Sequence, residues 1–186
     1  LNVMTSHLES FISKEDTGSA ERGRQMKDSF KVLDALVERR AAEHARGGAD
    51  VTCRNALFMG DTNWDESTDG EVPLPHGWSD AWATHGGIDP GYTYDQKLNP
   101  MLSGARLRKR LDRAFHKMED FEVSAVRMVG TTPVLRTDGS PETYSGRNPY
   151  NDVAWTRPVL PSDHFGLLVT LKPRAERSVK TGGANK

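Results

Sequence analysis

Cysteine is nearly absent from this sequence: Cys53 is the only one in 186 residues. That excludes an internal disulfide framework and a multi-cysteine zinc site, and it fits a reducing compartment, nucleus or cytoplasm. Long apolar runs are missing too. Hydrophobic residues make up 35% of the chain, and no stretch approaches the roughly 20 consecutive apolar residues of a membrane span. Net charge is close to nil, with 25 Lys and Arg against 26 Asp and Glu. Any nucleic-acid footprint must therefore come from local basic patches. There is no His-Glu-x-x-His pair, no Gly-x-x-x-x-Gly-Lys-Ser/Thr loop and no Gly-x-Ser-x-Gly elbow, which argues against a zinc peptidase, a P-loop nucleotide hydrolase and an elbow-type serine hydrolase. The chain opens directly in a strand-like run, Leu1 to Leu8, and is expected to start in mid-domain.

What is present has the pattern of an α/β domain. Met26, Phe30, Leu33, Val37 and Ala41 recur at spacings of four, three, four and four, the stripe of an amphipathic helix. Ser19 as N-cap, Glu21 in the first turn and Gly47-Gly48 as a stop place it at 20–46. Asn55 to Met59 reads as a buried strand feeding a loop at Gly60-Asp61. From 61 to 106 the sequence reads as a long loop with one helical turn near Trp78 to Thr84, and loops of that length are usually functional. Leu111 to His116 and Val123 to Val129 read as antiparallel neighbours across a turn at 117–122. Residues 130–161 contain five prolines and read as a second long loop. Phe165 to Leu171 is a final apolar strand, and from Lys172 five basic residues face one acid, Glu176. Residues 1–172 are thus expected to form one domain portion and 173–186 a disordered basic tail.

Two polar clusters sit where apolar strands meet loops: Asp61 with Asn63, and Asp163 with His164. A carboxylate can take a proton from water, an amide can donate to a phosphoryl oxygen, and an imidazolium can stabilise the charge of a pentacoordinate transition state. An Asp meeting a His side chain favours the protonated imidazole. An ordinary turn at 60–63 and a surface histidine at 164 account for the same residues. His7 and Glu9, after the opening strand, form a third candidate, a phosphate contact with a base or ligand, against a structural reading. Arg106, Arg108, Lys109, Arg110 and Arg113 could neutralise a phosphate backbone or simply blunt an exposed strand edge. Trp64, Trp78, Trp82, Tyr92 and Tyr94 could stack on bases or form satellite core, Trp78 and Trp82 best fitting the latter.

Six blocks, in order, resemble the endonuclease/exonuclease/phosphatase superfamily, and within it the 5'-tyrosyl-DNA phosphodiesterase branch. They are Thr5 to Ser10, Ala20 to Arg22 with Gln25 and Lys27, Phe58 to Asn63, Tyr92 to Asp95, Leu107 to Phe115, and Pro161 to Leu168. The resemblance implies an αββα sandwich of two packed sheets, of which this chain supplies the second half. It implies Mg2+-dependent (or Mn2+-dependent) hydrolysis of 5' DNA ends carrying a protein or peptide adduct. Asp61 would activate the water, Asn63 hold water and phosphate, His164 stabilise the transition state with Asp163 in support, and His7 touch phosphate. Tyr94, Leu111 and Arg113 would meet substrate, with Asp112 a supporting carboxylate.

The superfamily's metal-binding Glu and an early Asn match no block here; the principal metal ligand is expected upstream, with none in this fragment, which alone should be inactive. Trp64 and Asp65 stand where the animal phosphodiesterases carry Leu-Arg, and the 130–161 segment is longer than the superfamily's. Within the superfamily an abasic-site endonuclease is the alternative. From another class it is a noncatalytic nucleic-acid-binding fragment.

Overall fold

The computed structural model describes residues 1–46, 54–103, 106–148 and 150–174. Strand β1 (Asn2–Thr5) runs parallel to β2 (Ala56–Asp61), joined by the long helix α1 (Ser19–Ala45). The helical stripe behaves as its spacing requires: Met26, Phe30, Leu33 and Val37 are buried, while Ala41 is exposed. Ser19 lies within the first turn rather than capping it. The chain enters the helix through Gly18, whose φ of +68° and whose Cα, facing the Ser10 carbonyl oxygen, leave no room for a side chain. Gly47, Gly48 and Cys53 fall outside the described residues.

Four strands form one sheet in the order β1-β2-β6-β3, with β3 at Ser79–Asp80 and β6 at Asp112–Lys117. Because side chains alternate along a strand, the sheet packs on two sides. Ala56, Phe58 and Phe115 meet α1 and Trp78, and the Phe30 ring centroid lies 4.7 to 5.7 Å from those of Phe58, Trp78 and Phe115. Met59 and Ala114 face the opposite way. They join Val123, Leu167, Val169 and Leu171 of a second sheet made by β7 (Phe121–Val129) and β10 (Gly166–Pro173).

The 61–106 segment is more structured than its composition suggests, holding short helices α2 (Glu66–Asp69) and α3 (Ala81–His85) and strand β4 (Tyr94–Asp95), which pairs with β5 (Arg108–Lys109). Two expectations are corrected. β6 and β7 are not antiparallel neighbours, since β6 lies between β2 and β3 while β7 pairs with β10. Buried Asn55 enforces the change of sheet: its Oδ1 accepts the N–H groups of Glu119 and Asp120, and its Nδ2 donates to the Asp120 carboxylate. The proline-rich stretch is not all loop either. It folds back as a hairpin of β8 (Thr143–Arg147) and β9 (Ala154–Pro158), with Pro158 at a strand end, where its missing N–H is tolerated.

β10 runs through Pro173, and Arg174 donates to the carbonyls of Asp120 and Phe121; the basic tail from 175 lies outside the described residues. Among the described residues no helix is long and apolar enough to cross a membrane.

Candidate active site

The carboxyl end of β2 lies beside the start of β6 and the turn that leads into β10. Gly60 is what lets this corner close: its φ is +152°, and a Cβ there would stand 2.1 Å from the Ser6 carbonyl oxygen. The backbone leaving β1 then crosses over β2, with Leu8 N–H donating to the Asp61 carbonyl and Asn63 Nδ2 donating to the Leu8 carbonyl at 3.0 Å. Asn63 adopts φ +49°, a left-handed conformation that asparagine tolerates. Its N–H donates to Asp61 Oδ1 at 2.9 Å, fixing that carboxylate.

The other Asp61 oxygen, Oδ2, faces two histidines: His7 Nε2 at 3.4 Å and His164 Nδ1 at 3.9 Å. Asp61 and Asp112 are register partners across β2 and β6, and Asp112 Oδ2 lies 2.8 Å from His164 Nδ1. The carboxylate that meets the imidazole is therefore Asp112. Asp163 is exposed and its carboxylate accepts the Ser162 hydroxyl at 3.3 Å. The hydrogen bond to Asp112 holds His164 above the usual histidine range, against the opposing pull of burial. Burial raises the Asp61 carboxyl, partly countered by the Asn63 N–H, and the nearby Asp112 charge adds to the rise. Tyr94 stands edge-on to His164, ring centroids 5.2 Å apart.

Ligand atoms of Asp61, Asp112 and His164 lie within 4.8 Å of one another. Mg2+ and Mn2+ favour oxygen, and Mg2+ commonly takes one or two carboxylates with the remainder from water and phosphate. The carboxylates of Asp61 and Asp112 fit that pattern, while His164 is engaged with Asp112.

The remaining expected residues divide. Leu111 is partly buried, and its carbonyl accepts both the N–H and the hydroxyl of Thr62. Glu9 is held by its backbone, its N–H donating to Gln25 and its carbonyl accepting from Arg22. Arg113 is 3% exposed, and its guanidinium donates to Glu66, Asp80 and the Trp64 carbonyl. Alternation along β6 sends it to the face opposite Asp112.

The rest of the basic cluster is also largely neutralised, with Arg108 on Asp95, Lys109 on Asp65 and Arg110 on Asp80 and Glu66. Trp64, Trp78 and Trp82 are buried, whereas Tyr92 and Tyr94 are half-buried, and Arg108 stacks on Tyr92. A cleft of about 550 Å³ opens beside Trp64, Trp82, Tyr92 and Lys109. Neither Asp61 nor His164 lines it.

Two buried residues outside the sequence argument hold the site together. Thr93 Oγ1 accepts the N–H groups of Leu111 and Asp112, while its carbonyl accepts from Phe165 N–H. Asn99 Nδ2 donates to the carbonyls of Ser162 and Asp163, both at 3.0 Å. The Tyr92 to Asp95 block contained Thr93, but nothing in the spacing pointed to Asn99.

No family model and no curated protein matches this chain. Solved structures do. A truncated TDP2 of Caenorhabditis elegans is 20% identical with a TM-score of 0.54, the match covering 93% of this chain and 54% of that one. TDP2 of D. rerio, in complex with single-strand DNA product, is 23% identical with a TM-score of 0.53, over 91% and 55% respectively. Another C. elegans TDP2 structure gives 18% identity and 0.53, over 93% and 42%. The chain spans about half the length of these structures or somewhat less. The likeness establishes the fold: this is a two-sheet α/β sandwich shared with these TDP2 structures, of which the chain spans about half.

Proposed function

We propose that this chain is the C-terminal portion of a Mg2+-dependent phosphodiesterase that hydrolyses 5'-phosphotyrosyl or related 5' DNA ends in DNA repair, in the nucleus or cytoplasm. The observation that carries the proposal is the convergence of Asp61, Asp112 and His164 at one sheet end. The shared fold with TDP2, one of whose structures holds a single-strand DNA product, supports it.

In this reading Asp61, its orientation fixed by Asn63 N–H, accepts the proton of the attacking water. His164, kept protonated by Asp112, donates to the phosphoryl oxygen that gains negative charge. The water oxygen bonds to phosphorus, the bond from phosphorus to the tyrosine oxygen breaks with its electron pair leaving on the phenolate, which solvent protonates, and a 5'-phosphate remains. Phenol, with a pKa of about 10, is a better leaving group than a sugar alcohol. Mg2+, with Asp61 and Asp112 as the residues present to hold it, would supply charge neutralisation and orientation. Tyr94, edge-on to His164, supplies an aromatic wall for the DNA 5' end.

The test is Mg2+-dependent release of tyrosine from a 5'-phosphotyrosyl oligonucleotide by the chain and by an upstream-extended form, beside Asp61→Asn and an abasic duplex. Release that Asp61→Asn lowers by about a thousandfold or more is expected. Cleavage of the abasic duplex alone would move the protein to another branch of the superfamily. Activity on neither would favour a nucleic-acid-binding role.

A further inference from the structure

We propose that the β8–β9 hairpin is a positioning element for His164, acting through the segment 99–102. The inference rests on the reading of His164 as the residue that meets the phosphoryl group. Hydrogen bonds that leave the hairpin lead to the segment bonded to the turn carrying His164.

The path begins at Arg157 and Tyr144. Arg157 Nη1 donates to the carbonyls of Pro100 and Leu102, at 3.1 and 3.2 Å, and the Tyr144 hydroxyl donates to the Pro100 carbonyl at 3.2 Å. Both side chains are braced within the hairpin. The Arg157 guanidinium lies 4.6 Å from the centre of the Trp155 ring, and Tyr144 packs edge-on against the same indole at 5.1 Å. Trp155 lies across Gly146, where a Cβ would stand 2.4 Å from the ring.

Next in the chain to Pro100 is Asn99, 1% exposed, its N–H on the Asp95 carbonyl and its Oδ1 accepting Met101 N–H. Its Nδ2 spans the carbonyls of Ser162 and Asp163, the two residues before His164. On the other side of His164, Phe165 N–H is held by the Thr93 carbonyl. The backbone around the imidazole is thus fixed from two directions, and one of them is anchored on the hairpin. A buried amide bridging two carbonyls has a single favourable placement, and displacement would leave polar atoms unpaired. Any shift of Pro100 away from Arg157 therefore moves the Ser162–Asp163 carbonyls. Asn99, Arg157 and Tyr144 are positioning residues and touch no reacting atom.

The test compares Arg157→Met, which keeps the aliphatic stem, and Tyr144→Phe with the parent chain, by amide hydrogen exchange. Loss of the guanidinium bonds should speed exchange at His164 and Phe165 by about tenfold or more, while the amides of Leu167 to Leu171 and the thermal midpoint stay unchanged. Tyr144→Phe should give a smaller change of the same pattern. Where activity is present, Arg157→Met should lower kcat and leave KM unaltered. Exchange that is unchanged at His164 and Phe165, or accelerated uniformly over β10, would overturn the proposal. Local acceleration, with an upstream-extended form that shows no phosphodiesterase activity, would instead sink the reading of the reaction and leave the mechanical link standing.

Discussion

Asp112 occupies the position from which a carboxylate can hold an imidazole protonated. Its replacement by asparagine preserves shape and removes charge, so Asp112→Asn should lower kcat by about a hundredfold while leaving the fold intact. Steady-state kinetics with a circular dichroism control would check it, and an unchanged kcat would show that His164 does not depend on this partner. Gly60 is constrained differently. Gly60→Ala would combine a positive φ with a clash into the Ser6 carbonyl, and should destabilise the chain by about 3 kcal/mol, read from urea unfolding. At this scale Asp61, Asn63 and His164 stood out in the sequence because each lies where an apolar strand meets a loop, whereas Asp112 entered only through the family resemblance and Asp163 was the carboxylate expected beside His164. The burial of Arg113 was not legible, because a basic residue beside other basic residues looks solvated until the strand's alternation turns it inward.

Among the elements, α2 shows how a four-residue helix can be tied to the long helix before it. Arg22 and Asp69 form an ion pair at 2.8 Å, 3% and 0% exposed, and Arg22 also donates to the carbonyls of Glu9 and Thr17. The pair ties α1, α2 and the loop after β1 together. Burial alone would raise the Asp69 carboxyl, but hydrogen bonds from Arg22, Ser19 and Asp65 N–H outweigh it and hold the pKa below the usual value. A carboxyl depressed in the folded state contributes stability that is present above its unfolded pKa of about 4 and is lost as pH falls through its lower folded value. Asp69→Asn should therefore cost about 3 kcal/mol at pH 7 and flatten the stability profile below pH 4, measured by denaturant titration across pH. The α1 stripe and β2 were legible from periodicity. The β8–β9 hairpin was not, because its prolines masked the pairing. Nor was the separation of β6 from β7, because alternation shows that a strand exists and not which strand it joins.

Over the whole molecule, the second sheet has, among the described residues, only β7 and β10, and β1 stands at the edge of the first with Val3 60% exposed. Two-stranded sheets are marginal, and a small core offsets little chain entropy. The isolated chain should melt over a broad range with a low midpoint in far-UV circular dichroism; a sharp, high transition would show the two sheets to be self-sufficient. The whole-fold likeness to TDP2 was visible in the ordered blocks, while the bracing of the His164 turn was not, since it depends on contacts between residues more than 40 positions apart.

In the proposed reaction, the pairing of Asp61 with Asp112 ties catalytic competence to strand registration. A slip of β6 by one residue along β2 would bring Arg113 or Leu111 opposite Asp61 and turn Asp112 to the α1 side. The misaligned molecule would then present a guanidinium or an isobutyl group where the imidazole needs an anion. In a refolded preparation the active fraction would thus count the correctly registered molecules, and specific activity would serve as an assay of folding fidelity.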